Sequence, residues 1–497
     1  MATTAIGTMP ASTDGGEPVS RILAEFLAEA GWDDLPPSAV AAAKLAVLDW
    51  FGSVLAGAHE PPARIAREVA GGLGKADEAT VFPNARASAA VAALANGVAG
   101  HILELDDIHK GSTVHGAAPI VPAALAVAER EHADGRAFLL AVALGYEAAL
   151  RVGEAVNPSH YRYFHPTGTA ATFGAAAAAG SLLGLDAARM LDALGTAGTT
   201  AAGLWEFNAD GAMSKHLHPG KAAFNGVLAA DLAARGFTGA TRILEGERGF
   251  FRATSAEHDP ARITDGLGKR WKIEENGYKL YSCCGHTHTA IDAALEIRAG
   301  LADPAAEIVA VEVATYGPGW EIVKEPNPST PYRAKFSLAY VVAAALLEGR
   351  AGLEQFAPQR FGPDGVRQPA IAAFLPRIAV RVDPDLTAAY PAAWPARLSV
   401  TLADGRVVRA GGDFPRGNAE NPAPLSELRA KAHTLIAPLY GEATSEAVLD
   451  AVLEMDRVSD VAAPMRSLFP APAGGGPDGE RAARAVPSPA ATPAPSW

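Results

Sequence analysis

The sequence predicts a mainly α protein, with a large all-α helical domain into which a smaller α+β lid domain is inserted. Apolar residues recur at helical spacing through the first half of the chain, and the abundant alanine favours helix. Three later stretches instead alternate apolar and polar residues with the two-residue period of strands. At 497 residues the chain exceeds the roughly 250–300 residues at which one hydrophobic core stops growing, so two domains are expected.

The helical domain is predicted over residues 18–268. Runs such as VSRILAEFLAEA, SAVAAAKLAVLDWFGSVLAG and RAFLLAVALGYEAALRVGEAV are separated by glycine and proline, which suit short turns between helices. Residues 1–17 are predicted to be a disordered leader. They have neither a basic start nor an apolar segment, so a signal peptide is not expected.

The α+β lid domain is predicted over residues 269–410. Strands are expected in AEIVAVEVATYG, PRIAVRVDPDL and ARLSVTLADGRVVRAG, and the pair Asp404 and Gly405 in the last run predicts a hairpin turn. Residues 411–465 are predicted to be helices that rejoin the first domain. Residues 466–497 are rich in Pro, Gly, Ala and Ser and are predicted to be a disordered tail.

Composition excludes several classes of function. The net charge of −13, without a dense cluster of lysine and arginine, argues against nucleic-acid binding. No membrane partner is expected, because every apolar run of about 18 residues contains a charge and the alanine-rich stretches are broken by glycine. Since no signal peptide is expected, the protein is expected in the cytoplasm. The only cysteines, Cys283 and Cys284, are adjacent, which suits neither a structural disulfide nor a zinc site, so both are expected to be reduced.

Polar residues that a purely structural account does not require gather in four stretches. They are ELDDIHKGSTVHGAAP at residues 104–119, HYRYFHPTGTAATFGAA, MSKHLHPGKAAFNG and YKLYSCCGHTHTAIDAA, and they contain most of the histidines. In the first stretch, a helix is predicted to continue through NGVAGHILEL to about Asp107. A loop is expected to follow, up to the next helix.

The first stretch also admits structural explanations. His101 and Glu104 are three residues apart on the predicted helix, where a surface pair is expected rather than a pair of ligands. Either aspartate of the pair LDD could end the helix or cap the next loop. His109 and His115, in a glycine-containing loop, have no evident packing task, which favours a functional role.

The residues of the other three stretches also have both structural and functional explanations. His165 stands before Pro and a helix start, where a capping turn would also explain it. Lys215 and Lys221 would ordinarily be solvated surface charges, but they lie among small and apolar residues. Cys284 is more readily explained as a small buried residue than as a nucleophile, since no cysteine-specific motif surrounds it. One of the two histidines in GHTHT is expected to be structural.

A metal site and an acid–base site compete as explanations of these residues. Glu, Asp and His are the usual ligands of zinc and iron, but no HExxH motif is present and the spacing in ELDDIHKGSTVH fits no standard metal loop. Lysine and histidine together favour acid–base chemistry on an anion, because lysine holds a carboxylate while histidine moves a proton. The cations would also stabilise a developing enolate.

In this order, the stretches resemble the MmgE/PrpD family. The resemblance covers about residues 18–460 and is carried by ANGVAGHILELDDIHKGSTVHGAAPIVPAALAVAE, FHPTGTAATFGAAAAAGSLLGL, SKHLHPGKAAFNGVLAADLAARGFTG, YKLYSCCGHTHTAIDAAL and YRAKFSLAYVVAAALLEG. The family includes 2-methylcitrate dehydratase, cis-aconitate decarboxylase and iminodisuccinate epimerase. It implies a homodimer without cofactor or metal, a small polycarboxylate as substrate, and a site between the two domains.

The resemblance, together with the reading of the four stretches, gives two groups of site residues. The predicted catalytic residues are His115, His165, Lys215, Lys279 and Asp107. The predicted substrate-binding residues are Glu104, Asp106, His109, Lys221, Cys284, His288 and Tyr332.

Three departures from the family pattern bear on the reaction. Gly116 follows His115 where family members usually have proline. Glu104 occupies the position of the acidic residue with which the family's Asp-containing stretch begins. Cys284 aligns with the position of a catalytic histidine in cis-aconitate decarboxylases. These departures argue against decarboxylation of cis-aconitate. The sequence therefore predicts a metal-independent lyase of the dehydratase type that abstracts an α proton from a di- or tricarboxylate. An epimerase of an iminodisuccinate-like dicarboxylate and an inactive polycarboxylate-binding or scaffolding relative remain alternatives.

Overall fold

Helices dominate the protein, as predicted. The structure is a computed structural model that describes residues 17–74 and 76–470. The predicted leader, apart from Glu17, and the tail beyond residue 470 lie outside the described residues. The predicted start of the tail at 466 is too early, because a helix continues to Leu468 and Phe469 is buried against the core.

Among the described residues of the first half of the chain, helices are accompanied by one short hairpin of β1 (Ala79–Val81) and β2 (Ala85–Ala87). Aspartate side chains cap two of its helices by accepting a backbone N–H from the first turn, at Asp134 and Asp186. The helices are α1 (Val19–Glu29), α2 (Pro37–Gly57), α3 (Pro61–Leu73), α4 (Ala89–His101), α5 (Ala117–Arg130), α6 (Gly135–Val156), α7 (Ala170–Leu182), α8 (Ala187–Thr200), α9 (Phe207–Asp210), α10 (Ser214–Ala234), α11 (Phe250–Thr254) and α12 (Ala261–Thr264).

One close helix crossing in this region positions the site. A Cβ on Gly97 of α4 would lie 2.8 Å from the Cα of Gly220 in α10, so the two backbones touch where neither residue has a side chain. Gly97 precedes His101 by about one turn, and Gly220 follows His216 by about one turn. The crossing thereby brings the end of α4 beside the start of α10.

The second region mixes helices with a four-stranded sheet. The sheet has the order β6-β3-β7-β8, in which β3 and β6 are parallel and the other pairs are antiparallel. The predicted hairpin joins β7 to β8, and Gly405 adopts φ +87° in its turn. The elements are α13 (His288–Arg298), α14 (Pro304–Glu307), β3 (Ile308–Thr315), α15 (Gly317–Val323), α16 (Pro331–Ala334), α17 (Leu338–Glu348), β4 (Phe361–Gly362), β5 (Gly365–Val366), α18 (Pro369–Phe374), β6 (Ile378–Val382), α19 (Pro384–Ala389), β7 (Ala396–Leu402) and β8 (Val407–Gly412).

The chain closes with α20 (Leu425–Tyr440), α21 (Glu442–Leu453) and α22 (Ala462–Leu468). These helices contribute to the same hydrophobic core as the first half of the chain, and α20 packs against α2. A separate core is formed by residues from Tyr281 to Leu402, together with Phe207. The two cores do not divide at residue 269, since Trp271 and Ile273 belong to the first.

Among the described residues, one helix is long and apolar enough to cross a membrane. It is α2, and 72% of its most apolar 18-residue window is buried inside the fold. It packs against α4 and α20, as a core helix does.

Candidate active site

The loop between α4 and α5 differs from the sequence prediction at its start. Helix α4 ends at His101, well before Asp107, and the backbone turns sharply at Glu104, which adopts the left-handed conformation with φ +56°. Such a conformation is uncommon for a residue with a side chain and recurs at functional sites. The expected surface pair of His101 and Glu104 is wrong, because both side chains are buried and His101 pairs with Asp106 instead.

Asp106 lies between two imidazole rings. Its Oδ2 is 2.6 Å from Nδ1 of His101 and 3.3 Å from Nδ1 of His115. Burial alone would raise the pKa of Asp106, but His101, His115 and Lys279 hold it well below its usual range. Burial, and next the charge of Lys279, lower the pKa of His115 to about 4. At neutral pH an ionised carboxylate therefore stands beside a neutral His115.

Glu104 is held by two lysines from distant parts of the chain. Nζ of Lys215, in the first turn of α10, donates to Oε1, and Nζ of Lys279 lies 3.2 Å from Oε2. All three side chains are at most 2% exposed. Burial opposes ionisation of Glu104, yet Lys215 and Lys279 hold its pKa well below the usual range. Burial likewise opposes a charge on Lys279, but Glu104 and Asp106 raise its pKa.

Backbone pairing explains why Lys279 reaches this loop. The N–H and C=O groups of Ile108 and Gly277 bond each other at 2.9 and 3.0 Å. Ser282 Oγ also donates to the carbonyl of Leu103 at 2.6 Å. The fourth polar stretch is thus fixed alongside the first, and His115 N–H ties the second stretch in by donating to Thr167 Oγ1 at 3.0 Å.

Three further histidines surround the pair of His101 and Asp106. The ring of His165 stacks on that of His101 at 5.5 Å, and its Nδ1 is 3.1 Å from Nδ1 of His218. The ring of His216 is 6.3 Å from that of His101. Burial, reinforced by neighbouring cations, holds the pKa of His165 and of His216 well below the usual range and lowers that of His218 to about 3. All three are therefore neutral at pH 7.

The buried carboxylates, lysines and histidines that meet around Asp106 and Glu104 form one group, which we call the lysine–histidine cluster. Its members are His101, Glu104, Asp106, His115, His165, Lys215, His216 and Lys279.

The second core closes the cluster with aromatic and sulfur side chains. Tyr332 stands edge-on to His216 at 6.2 Å, and its hydroxyl is buried without a hydrogen-bond partner. Cys284 is 9% exposed, and burial raises the pKa of its thiol to about 11, so it stays protonated.

A cleft of about 240 Å³ opens beside the cluster. Its lining is mostly apolar, with residues such as Leu103 and Phe356, but Glu60, His216, Tyr332 and Lys335 contribute polar groups. Burial lowers the pKa of Lys335 to about 8, and its Nζ donates to the carbonyl of Leu103 at 2.7 Å. The cleft reaches the cluster at His216, the cluster member that lines it.

The described residues contain two groups whose donor atoms lie within 4.8 Å of one another, as a metal site requires. They are His101, Asp106 and His115, and His109, Glu154 and Glu275. In the first group, His115 Nδ1 lies 2.6 Å from the carbonyl oxygen of Asp107. A carbonyl only accepts, so this nitrogen, which lies 3.3 Å from Oδ2 of Asp106, carries the hydrogen, and the lone pair of the ring is on Nε2. In the second group, Lys272 Nζ already neutralises both glutamates at 3.0 Å.

Comparison with known families decides the classification. A model described as the MmgE/PrpD N-terminal domain matches residues 21–263, and one described as the MmgE/PrpD C-terminal domain matches residues 281–456. The chain belongs to the MmgE/PrpD family. The resemblance found in the sequence is thereby confirmed.

Curated relatives in this family align over most of their length. A cis-aconitate decarboxylase-like protein, oryM, of Aspergillus oryzae is 27% identical over 481 residues, 91% of this chain and 98% of the relative. A cis-aconitate decarboxylase of Aspergillus terreus is 27% identical over 462 residues, 86% of this chain and 91% of the relative. The cis-aconitate decarboxylase of Homo sapiens is 27% identical over 431 residues, 84% of this chain and 87% of the relative.

Of the MmgE/PrpD site residues predicted from the sequence, several lie away from the cluster. His109 donates or accepts at Ser112 and faces Glu154 and Glu275. Lys221 Nζ donates to the carbonyls of Gly168, Thr200 and Ala202. His288 Nε2 lies 3.3 Å from the carbonyl of Cys283. The sequence shows that these residues lie in polar stretches, but it does not show the direction in which each side chain points.

Asp107 is close in space but faces away from the cluster. Its carboxylate accepts from Tyr146 O–H at 2.5 Å, from Asn276 Nδ2 at 2.8 Å and from the N–H of Ala117. Burial raises its pKa to about 7. These contacts suit a residue that anchors the loop at the start of α5.

Two members of the cluster are not among the site residues predicted from the sequence. They are His101, for which a position on a helix surface is predicted, and His216, which lies in the stretch MSKHLHPGKAAFNG. For His216 the available signal is its position next to Lys215. For His101 there is no signal, because nothing in the sequence marks the end of α4.

Proposed function

We propose that this protein is a lyase that acts on a small di- or tricarboxylate, without a metal ion, by moving a proton on the carbon next to a carboxylate. The observation that supports this most is the arrangement of Lys215 and Lys279 around a buried carboxylate, beside imidazoles that stay neutral at pH 7. Family membership and the lyase names of the curated relatives support the same class of reaction.

The two lysines are suited to binding carboxylates. They hold both oxygens of Glu104, and each ammonium has three donors, so each can bind a substrate oxygen as well. Ionised Glu104 and Asp106 keep Lys279 charged inside the fold. An ammonium that is already desolvated and fixed stabilises developing negative charge without reorganisation, which is the role that a metal ion plays in other enzymes.

His115 and His165 are suited to accepting a proton. Because His115 Nδ1 donates to the carbonyl of Asp107, its lone pair is on Nε2. The low pKa values of both imidazoles keep them unprotonated at pH 7, although they also make the rings weaker bases than a histidine with its ordinary pKa. A proton removed from the substrate leaves an enediolate, whose charge the two ammonium groups would stabilise.

The curated relatives favour a second candidate reaction, decarboxylation of cis-aconitate. All three relatives described above carry that activity, or a likeness to it, in their names. Against it stands Cys284, a protonated thiol where the sequence resemblance places a histidine of the decarboxylases. We therefore propose dehydration first and decarboxylation second.

A polycarboxylate panel in deuterated water tests the proposal. The panel contains citrate, 2-methylcitrate, cis-aconitate and iminodisuccinate, and NMR follows both deuterium uptake and new products. We expect deuterium uptake next to a carboxylate with at least one compound, together with loss of water. Itaconate formed from cis-aconitate would select decarboxylation, and exchange without loss of water would select epimerisation. Neither exchange nor product with any compound would contradict the proposal.

The variant Cys284→His tests what separates the two lyase reactions. If the thiol disfavours decarboxylation, the variant gains activity on cis-aconitate, while Cys283→Ser at the neighbouring position does not. Cys283 is the matched control because it is also buried, with its Sγ 3.2 Å from Thr287 Oγ1. Equal activity of both variants on cis-aconitate would show that Cys284 does not select the reaction.

A further inference from the structure

We propose that His101 and Asp106 form a proton-transfer dyad, in which Nε2 of His101 exchanges the substrate's α proton and Asp106 positions the ring. This inference rests on the proposed function and assigns its reacting base. It concerns a residue that the sequence suggested was structural.

The geometry of the pair is that of an oriented imidazole. Nδ1 of His101 lies 2.6 Å from Oδ2 of Asp106, and both side chains are completely buried. An ionised carboxylate only accepts, so Nδ1 carries a hydrogen, and in the neutral form of the ring the lone pair is on Nε2. Because the two nitrogens are on different sides of the ring, Nε2 points away from Asp106.

Nε2 of His101 is buried and has no hydrogen-bond partner among the described residues. Leaving a buried polar atom unpaired costs about 1–3 kcal/mol, so such atoms call for an explanation. The other unpaired buried atoms of the cluster are Oδ1 of Asp106 and Nδ1 of His216, and the unpaired hydroxyl of Tyr332 belongs to a ring that stands edge-on to His216. His216 and Tyr332 line the cleft, and a substrate that passes them to reach His101 would supply the missing partners.

His101 also differs from the other histidines of the cluster. The partner of His115 Nδ1 at 2.6 Å is a neutral carbonyl, and the partner of His165 is the neutral ring of His218. Among the histidines of the cluster, His101 is the one with a carboxylate at 2.6 Å, whereas the same Asp106 oxygen is 3.3 Å from Nδ1 of His115. That carboxylate offsets the positive charge that appears when Nε2 takes a proton.

The proposed step is balanced by the groups present. The substrate C–H bond breaks and an N–H bond forms at Nε2 of His101, while the bonding electron pair stays on the substrate as an enediolate. Lys215 and Lys279 stabilise that charge. Return of a proton, or of a solvent deuteron, to the same carbon reverses the step and regenerates the neutral ring.

The variant His101→Asn separates catalysis from structure. The amide N–H of asparagine can take the place of Nδ1–H beside Asp106, but no atom remains at the position of Nε2. We expect deuterium exchange and kcat to fall at least about 100-fold, with KM changed less than about threefold. Asp106→Asn keeps the size of the side chain but removes its charge, and is expected to lower kcat to a similar extent.

His160→Asn is the matched control. His160 is also fully buried in the helical region, but both of its nitrogens have partners, at the carbonyl of Thr254 and Oγ1 of Thr169. We expect its exchange rate per folded molecule to stay within about threefold of wild type. Circular dichroism and the melting temperature report the folded fraction of each variant.

The outcomes separate this inference from the proposed function. If wild type exchanges a panel compound and His101→Asn does so at a similar rate, the dyad is overturned and the proposed function stands. If wild type exchanges none, the proposed function fails. A second measurement needs no substrate: in protein with 15N-labelled histidine, NMR should show His101 protonated at Nδ1 and unprotonated at Nε2. The opposite tautomer would overturn the dyad.

Discussion

The loop from Ile102 to Gly116 supplies side chains to two polar clusters that are built differently, one buried and the other partly exposed. The first is the lysine–histidine cluster, to which the loop contributes Glu104, Asp106 and His115. The second, which we call the glutamate cluster, consists of His109, Glu154, Lys272 and Glu275. Each contains imidazole, ammonium and carboxylate groups, so composition does not distinguish them.

The clusters differ in how completely they are paired. Lys272 Nζ is 3.0 Å from each glutamate, and His109 contacts both carboxylates and Ser112, so no polar side-chain atom of the glutamate cluster is buried without a partner. In the lysine–histidine cluster, Nε2 of His101, Oδ1 of Asp106 and Nδ1 of His216 have no hydrogen-bond partner. Complete pairing is what stability requires, whereas unpaired buried atoms suit a site that a ligand completes.

The largest expected effect is on catalysis by the lysine–histidine cluster. Lys215→Ala removes one of the two ammonium groups that would stabilise the enediolate, so kcat/KM should fall about 1000-fold, equivalent to about 4 kcal/mol of transition-state stabilisation. Steady-state kinetics with the best panel compound, corrected for the folded fraction, measure this. Retention of wild-type kcat/KM would remove Lys215 from the mechanism.

The opposite behaviour is expected in the glutamate cluster. Lys272→Met leaves Glu154 and Glu275 together without their cation, and should lower the free energy of unfolding by about 2 kcal/mol, because Glu275 is partly exposed and water screens it. Urea unfolding measures the loss, and kcat per folded molecule should be unchanged. A drop in kcat would mean that the two clusters are not separate in function.

Acid should destabilise the protein partly through the first cluster. The pKa of His115 is about 4 in the folded chain and about 6.5 when unfolded, so between these values the unfolded chain binds the proton and the folded chain does not. Stability contributed by neutral His115 is thus present above pH 6.5 and is lost as the pH falls to 4. Each pH unit within that window costs about 1.4 kcal/mol. Unfolding of His115→Asn should show a correspondingly shallower dependence on pH, and an identical dependence would contradict this account.

The smallest expected effect concerns Lys221, a cation fully engaged by the backbone. Its Nζ donates to three carbonyls, so Lys221→Met should lower the free energy of unfolding by about 1 kcal/mol while the Kd for a polycarboxylate stays the same. Calorimetric titration measures Kd. A Kd weakened tenfold would instead place Lys221 in the binding site, as the sequence suggested.

Much of the fold follows from local patterns. Alternating runs gave β3, β6 and β7, and the Asp-Gly pair gave the turn at Gly405. The end of α4 could not be predicted, because no glycine or proline marks it. The chain leaves the helical path after His101, and Glu104 adopts a left-handed conformation. In that conformation the Glu104 side chain contacts Lys215 and Lys279, which are distant in sequence.

The site was predictable in its motifs more than in its partners. Lys215, Lys279, His115 and His165 come from four distant stretches and lie together in the fold. The sequence did not show that Glu104 would form ion pairs with both Lys215 and Lys279. This carboxylate offsets part of the positive charge that the two lysines bring to the site. Nor did it separate His109 from His115, since only the fold determines which cluster each ring enters.

The most direct test compares ligand stabilisation in three proteins: wild type, Lys215→Ala and Lys272→Met. Melting temperatures are measured with and without the tightest-binding panel compound at about 100 times its wild-type Kd, where a single site stabilises by about 2.7 kcal/mol. We predict that the ligand raises the melting temperature of wild type and Lys272→Met equally and leaves that of Lys215→Ala unchanged. Stabilisation that persists in Lys215→Ala, or disappears in Lys272→Met, would contradict the assignment of ligand binding to the lysine–histidine cluster.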